Sequence, residues 1–420
     1  MGTTSPLVIG LDIGSSAIRI AVGQRASQEE GGDYLKIIAA SEVPAAGISK
    51  GMIASIEDAT AAVSSCMEKT ERVLGAPLER AWVGISGLHI LTEESRGVVA
   101  VGKPDGEITE DDVERAIEAA RTVATPLNYD ILHVIPKSFT VDGQAGIKDP
   151  VGMTGIRLEV DAQIIQGPTS HIKNLTKCIY RTGFDIEDLV LSILAASESV
   201  TTSRQKELGV AVVNIGGPTT SYAVFEEGDL LTAGIIPIGG DHITSDIAIG
   251  LRISIDVAER VKIDYGTACV KDIQKKDEIN LEEVGGERET VARKYVAEII
   301  QARMEEIFEK IDKEFKKIGR SGMLPSGVVF TGGGAKLSGI VDLAKEKLRL
   351  PASLGYPGRV SSALEKIGDL SFTTAVSLAL WGSEMERGRG RGRRISQIIS
   401  LKGLDRFAGG MKRIFKSLIP

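Results

Sequence analysis

The chain is poor in the residues that build stapled or metal-held folds. It has three cysteines, Cys66, Cys178 and Cys269, odd in number and far apart. Neither a disulfide framework nor a zinc spacing follows, and a reducing compartment is the expected setting. The four histidines, His89, His133, His171 and His242, make no ligand motif. No apolar run is long enough to cross a bilayer. No basic segment followed by an apolar one marks a signal peptide, and Pro6 stands where a myristoylation signal needs Ser or Thr. The glycine patterns of Rossmann and P-loop sites, GxGxxG and GxxxxGKS/T, are also missing.

What is present is the make-up of a globular protein. The chain has 420 residues, 42% hydrophobic and 25% charged, enough for two large lobes with a core in each. Glycine is abundant, at 48 residues. Much of it falls in short loops after apolar runs, where backbone amides can approach a phosphate closely. The net charge of −7 is unevenly spread. Residues 384–420 carry ten Lys or Arg against three Asp or Glu, a local +7 that leaves −14 for the rest. An acidic body argues against nucleic-acid binding, and the basic tail is the part suited to an anionic surface.

The most informative feature is an internal echo. Residues 7–23 read as strand, small-residue turn and strand, LVIGLDIGSSAIRIAVG, and residues 210–228 repeat the pattern as VAVVNIGGPTTSYAVFEEG. Asp12 and Asn214 hold matching places 202 residues apart. Two such hairpins half a chain apart predict duplicated lobes facing each other across a cleft. Between them, 55–75 reads as helix and 79–91 as strand and turn. A helix is predicted over 109–124, with Thr109 as N-cap, Asp112 at its third position and acids in the first turn. Extended stretches follow at 129–140 and 155–165. In the second half, 244–265 and 289–318 are long helical patterns. A short buried strand at 328–330 runs into Thr331-Gly-Gly-Gly-Ala-Lys336 and a helix, and the body ends in a helix near 372–381. The Gly/Arg run at 386–394 reads as a linker.

Each hairpin turn is able to direct backbone N–H groups at a phosphate, with Gly14 and Gly216 permitting the approach. Asp12 suits a hydrated Mg2+, because a hard cation favours carboxylate and water oxygens. The 331–336 loop opens a helix whose dipole suits an anion or a nucleoside edge. A single glycine turn is usually structural. Three in this order, two of them duplicated, are not explained that way.

These loops resemble those of the actin-fold superfamily, which includes actins, heat-shock chaperone ATPases, sugar kinases and bacterial filament proteins. Asp12, Gly14, Ser15 and Ser16 look like its first phosphate loop, with Arg19 just beyond. Asn214, Gly216, Gly217 and Thr219 resemble the second, and Gly332, Gly333, Gly334 and Ala335 the adenosine loop. The run DVAERVKIDYG, from Asp256, is similar to the helix that sets a Glu and a Lys against ribose and adenine. That maps those roles onto Glu259 and Lys262; without the flanking motifs the two would read as an ordinary i, i+3 ion pair. The implied ligand is ATP with Mg2+, the metal at Asp12. The departures matter as much. Asn214 is neutral where hydrolytic members have Asp, Pro218 has no N–H to offer, and the position of a water-orienting Glu or Gln falls near Ser192. The expectation is ATP binding with slow or absent turnover, since hydrolysis needs a group to orient water.

Further stretches look specifically like the FtsA family. They are VPAAGISKGMI from Val43, IPIGGDHITSDIA from Ile235, LSFTTAVSLALWG from Leu370, and 84–166 with ISGLHILTEESRG, EITEDDVERAIEAA and LHVIPKSFTVDG. The implied fold is α/β: a two-lobed actin/heat-shock-chaperone ATPase-like fold with an inserted α+β subdomain and a C-terminal amphipathic helix. Lobe I would comprise 1–83, 167–203 and 365–383, interrupted by the insert at 84–166. Lobe II would comprise 204–241 and 319–364, with a subdomain at 242–318. A linker, 384–402, and a terminal helix, 403–420, would follow. The family's role implies self-assembly into actin-like filaments, docking of the FtsZ C-terminal tail on 242–318, and contacts with other divisome proteins. It also implies peripheral attachment at the cytoplasmic face of the cell membrane. Arg303, ending EIIQAR, matches a family stretch implicated in the docking; a solvated helix charge is the plain alternative.

The terminal segment can be tested by geometry. At about 100° per residue, Leu404, Phe407, Ala408, Met411, Ile414, Phe415, Leu418 and Ile419 share an arc of about 140°. Asp405, Arg406, Lys412, Arg413, Lys416 and Ser417 occupy the remainder. A basic face opposite Phe, Leu and Ile describes an interfacial membrane helix, although a helix packed on its own body has the same pattern. The GRGRGRR run at 388–394 lacks the interleaved aromatics of a nucleic-acid segment. Two other readings stay open: an actin-fold phosphotransferase, for which no catalytic base stands out, and a PilM-type pilus-assembly adaptor, which does not require the terminal helix.

Overall fold

The two echoing hairpins each seed a sheet. In the computed structural model, which describes residues 7–28, 32–124, 126–274, 276–391 and 399–400, Leu7–Ile13, Ala17–Gln28 and Gly32–Pro44 form an antiparallel meander. Arg80–Ile85 and then Asp185–Leu191 add in parallel on the open side of the first strand. The second half repeats this order. Val210–Ile215, Thr220–Glu226 and Asp229–Ile236 run antiparallel, and Val328–Thr331 and Ala352–Leu354 add in parallel. The correspondence extends to register: Asp12 sits opposite Arg19 and Gly84, and Asn214 opposite Ser221 and Thr331.

Strands covered on both faces read as continuous apolar runs, and Val210–Ile215 divides its side chains between two cores. Val210 and Val212 pack with Leu11, Trp82 and Phe184 of lobe I. Ala211, Val213 and Ile215 pack with Phe308, Phe315 and Phe330 of lobe II. Alternation along the strand thus welds the lobes along a buried seam.

Between Ile85 and Thr169 the chain leaves lobe I to build the insert. Leu91–Ala100, Arg157–Pro168 and Tyr129–Val141 form an antiparallel sheet covered by the helix Glu110–Ala124. Ile108, Val113, Ile117, Leu158, Val160 and Ile164 give it a separate core. Its helix begins where the capping signal places it. Thr109 Oγ1 accepts from Asp112 N at 3.4 Å, and Asp112 Oδ2 accepts from Thr109 N at 2.9 Å.

Three expectations need correction. The 244–265 pattern is two helices. Gly240–Leu251 ends at Arg252, which is left-handed with φ 57°, and Ser254 caps Ile255–Tyr265 by accepting from Val257 N at 3.4 Å. The 289–318 pattern becomes helical only at Arg293, because Thr290–Ala292 pairs as a strand with Glu278–Asn280. The last body helix, Thr373–Arg391, continues past 383 into the stretch expected to be linker. Its end is held to the body: Arg25 donates to Ser383 Oγ at 3.2 Å and pairs with Glu386, and Arg359 pairs with Glu384 at 2.7 Å. The membrane-facing positions Leu404, Phe407, Met411, Lys412, Arg413, Ile414, Phe415, Lys416 and Leu418 lie outside the described residues. Among the described residues no helix is long and apolar enough to cross a membrane.

Candidate functional site

A cleft of about 810 Å³ opens between the lobes, with Ser15 and Ser16 on one wall and Gly216 and Gly217 on the other. The two turns are built alike. The Gly14 amide donates to Ala17 O at 3.2 Å, and the Gly216 amide donates to Thr219 O at 2.9 Å. Closing the turns occupies those two amides. The N–H groups of Ser15, Ser16 and Gly217 keep no acceptor among the described residues, so they are donors that a phosphate would satisfy. The second turn is braced from behind, where Gly240 N and Asp241 N donate to Gly216 O and Gly217 O, both at 2.9 Å. The positive end of the helix Gly240–Leu251 therefore stands behind that loop and favours an anion in front of it.

Asp12 lies at the floor of the cleft. Burial pushes its carboxyl up to about 6, against the pull of the Arg19 guanidinium. Its carboxylate has no hydrogen-bond partner among the described residues. A recessed, uncommitted carboxylate fits a hydrated divalent cation, which would offset the desolvation that holds it partly protonated. Arg19 lines the cleft but is engaged, pairing with Glu42 and lying 5.7 Å from the Phe372 ring centre.

In lobe II, Asn214 donates from its side-chain amide to Thr374 Oγ1 at 3.1 Å. Its carbonyl oxygen lies so near Gly332 that a methyl group there would sit 2.3 Å away. Gly332 has φ 88°, which only glycine adopts freely, so the Gly332–Gly334 loop is held tight against Asn214 and Ile215 at the start of the second turn. Gly333 and Gly334 line the cleft beside it. Ala335 does not: it is 1% exposed in the lobe II core, because its amide turns back to Gly332 O. Glu259 and Lys262 form the expected pair at 2.6 Å and both reach the cleft. Lys262 also donates to Thr244 Oγ1 at 2.7 Å and Gly240 O at 3.3 Å, which lashes its helix to the start of the one before. Ser192 is buried at the start of Ser192–Val200, beside Gly84. Neither Ser192 nor Asn214 ionises, so no general base stands at either position.

Asp241, Arg293, Lys336 and Phe372 also line the cleft, and the sequence patterns did not single them out. Lys336 pairs with Asp369 at 2.7 Å, and Arg293 Nε donates to Tyr265 O at 3.1 Å. Asp241 had a usable signal, since an acid directly after a Gly-Gly pair at a helix start sits where loop and helix meet. Among the described residues no three His, Cys, Asp or Glu side chains are grouped to hold a metal by themselves.

Arg303 lies elsewhere, in a groove of about 380 Å³ between Gly240–Leu251 and Arg293–Lys317. It makes a two-pronged pair with Asp246, at 2.5 and 2.8 Å, and a further pair with Glu306. Ile249, 75% exposed, and Tyr295, 46% exposed, offer apolar surface beside it.

The family profile described as Cell division protein FtsA matches residues 211–377, and that of the SHS2 domain inserted in FtsA matches 87–166. The Cell division protein FtsA of Bacillus subtilis is 37% identical over 386 residues, covering 92% of this chain and 85% of its own. That of Pseudomonas aeruginosa is 34% identical over 382 residues, 90% of each chain. That of Escherichia coli K12 is 30% identical over 390 residues, 91% of each. Among solved structures, the PilM-PilN type IV pilus biogenesis complex superposes with TM-score 0.65 at 17% identity, covering 89% of this chain and 98% of that one. MreB5 of Spiroplasma citri bound to ADP gives 0.53 at 12% identity, covering 92% and 98%. These likenesses establish the actin-like fold alone. The relatives over nine-tenths of the chain decide the family: this chain belongs to the FtsA family of cell division proteins.

Proposed function

We propose that this protein binds ATP with Mg2+ in the interlobe cleft, assembles into actin-like filaments, and ties FtsZ filaments to the cytoplasmic face of the membrane at the division site. The observation that carries the nucleotide reading is the matched pair of turns, whose open amides flank one cleft with uncommitted Asp12 at its floor. Asp12 would hold the cation through water. The amides of Ser15, Ser16 and Gly217 would take the phosphates, with Gly14, Gly216 and Thr219 shaping their turns. Glu259, Lys262 and the Gly332–Gly334 run would meet the nucleoside. Turnover is slow, because Ser192 and Asn214 supply no base. Neither the pilus-adaptor nor the phosphotransferase reading has an observation of its own to favour it.

The groove around Arg303 supports docking of the FtsZ C-terminal tail. Exposed Ile249 and Tyr295 supply apolar contact, and the Asp246–Arg303–Glu306 charges on the rim set direction. The sequence of 403–420 supports an interfacial helix as the anchor. Each large apolar side chain contributes about 1.5–3 kcal/mol on burial. Ordering the segment offsets much of that, and Gly409 and Gly410 each cost about 1 kcal/mol relative to Ala. One helix grips weakly, whereas a filament bearing many grips firmly. Attachment then depends on assembly, and other divisome proteins would be gathered on the same scaffold.

The test is titration of an FtsZ C-terminal peptide against the full chain. The wild type binds, while Ile249→Asp, at an exposed position, binds at least about tenfold more weakly with unchanged melting. Arg303→Glu also binds more weakly but melts lower, because it leaves Asp246 and Glu306 beside a third carboxylate. No binding by the wild type would overturn the adaptor reading and would also leave a PilM-type role as the better account.

A further inference from the structure

Asp241 stands at the start of Gly240–Leu251, on the lobe II wall of the cleft, yet its carboxylate reaches the first phosphate loop. A methyl group placed on Gly217 would sit 2.3 Å from Ser16 Oγ and 2.6 Å from Asp241 Oδ1. The serine of lobe I and the carboxylate of lobe II therefore lie within about 5 Å of each other, on either side of the second loop's glycine. Both residues are exposed to the cleft. Neither the hydroxyl nor the carboxylate has a hydrogen-bond or ion-pair partner among the described residues.

Burial pushes the Asp241 carboxyl up; Lys262 and His242 pull the other way from a distance and Glu259 opposes them, but no cation pairs with it directly. Lys262 is held by Glu259 at 2.6 Å, by Thr244 Oγ1 and by Gly240 O. His242 uses Nδ1 to accept from Gly239 N at 3.2 Å. Asp241 is also fixed to the loop that would hold the phosphates, since its amide donates to Gly217 O. A carboxylate with no direct partner is thus built into the wall of a cleft whose amides call for an anion. Alone, it repels phosphate oxygens; with a divalent cation beside them, the same charge attracts.

We propose that Asp241 makes nucleotide binding conditional on the divalent cation: it is a positioning residue that rejects bare triphosphate and accepts the metal complex. This rests on the reading of the cleft as an ATP site. Asp12 from lobe I and Asp241 from lobe II, which line the same cleft, are the two acids that would hold a hydrated divalent cation there. The two acids have different tasks. Asp12 is the less exposed of the two and serves mainly to attract the cation, whereas the exposed Asp241 serves mainly to exclude phosphate that lacks one.

The experiment measures the dissociation constant of ATP for the full chain by calorimetry, once with Mg2+ and once with EDTA, for the wild type, Asp241→Asn and Asp12→Asn. Wild-type binding weakens strongly in EDTA. Asp241→Asn binds ATP in EDTA about tenfold more tightly than the wild type, so its ratio between the two conditions shrinks. Asp12→Asn loses affinity in Mg2+ and gains none in EDTA. Melting of each variant without nucleotide confirms folding, which exposed Asp241 does not govern. An unchanged Mg2+/EDTA ratio in folded Asp241→Asn overturns the inference while leaving the cleft assignment standing. A wild type that binds no ATP in Mg2+ removes the assignment itself, and the inference with it.

Discussion

The side-chain amide of Asn214 donates to Thr374 Oγ1 at 3.1 Å, joining the first strand of lobe II to the helix that returns to lobe I. The bond is made by a neutral residue, at the place in the lobe II hairpin that matches the acid Asp12 in the lobe I hairpin. An aspartate there has no side-chain N–H to donate and would instead accept from the Thr374 hydroxyl, turning the bond round, and it would add a base on the wall of the cleft. Asn214→Asp is expected to raise single-turnover ATP hydrolysis by about tenfold or more, toward the contribution of a positioned base. Asn214→Ala should instead lose the tie and about 1 kcal/mol of stability. Equal hydrolysis by Asn214→Asp and wild type would mean that the slow step lies elsewhere.

Asp12 links the cleft to pH. Its carboxyl, ordinarily at 3.8, is raised to about 6 by burial, with Arg19 opposing. Below about pH 4 folded and unfolded chains both keep the proton. Above that the unfolded chain ionises while the folded one resists, so stability falls as pH rises toward 6 and levels off beyond it. The loss is about 3 kcal/mol, from a shift of about two pH units. Denaturant unfolding of the nucleotide-free protein at several pH values should show this fall in the wild type and not in Asp12→Asn. Parallel curves for the two proteins would mean that Asp12 is solvated.

On the proposed reading of the terminal segment as an anchor, attachment and folding are separable. Phe415→Glu, or truncation after Ser400, should leave melting unchanged and reduce co-sedimentation with anionic phospholipid vesicles by about tenfold. Added salt should weaken wild-type attachment, because Lys412, Arg413 and Lys416 contribute through charge. Vesicle binding that survives the truncation would place the anchor elsewhere in the chain.

Much of the architecture is legible along the chain because its signals are local. Alternating apolarity around a small-residue turn marks each hairpin, and the same turn closure recurs at Gly14 and Gly216. The insert's helix is legible for the same reason, since Thr109 and Asp112 cap within one turn. The break at Arg252 is hidden because the apolar spacing continues through Leu251 and Ile253, and only the capping by Ser254 interrupts it. The reach of the Thr373–Arg391 helix is hidden because Arg25, more than 350 residues earlier, holds its end. Local pattern cannot report a partner that distant.

The site divides along the same line. Residue types and their order were enough to mark two matching glycine turns, a third glycine loop, and a Glu–Lys pair one helical turn apart, because turns and helix faces are made by neighbours in sequence. Folding decided what those residues can do. It buried Asp12 enough to lift its carboxyl, withdrew Ala335 into the core, engaged Arg19 with Glu42, and brought Asp241 to the edge of the first loop. Desolvation and charge act through space over a few ångströms, and the groups that meet here range from Arg19 and Glu42, 23 residues apart, to Ser16 and Asp241, 225 residues apart.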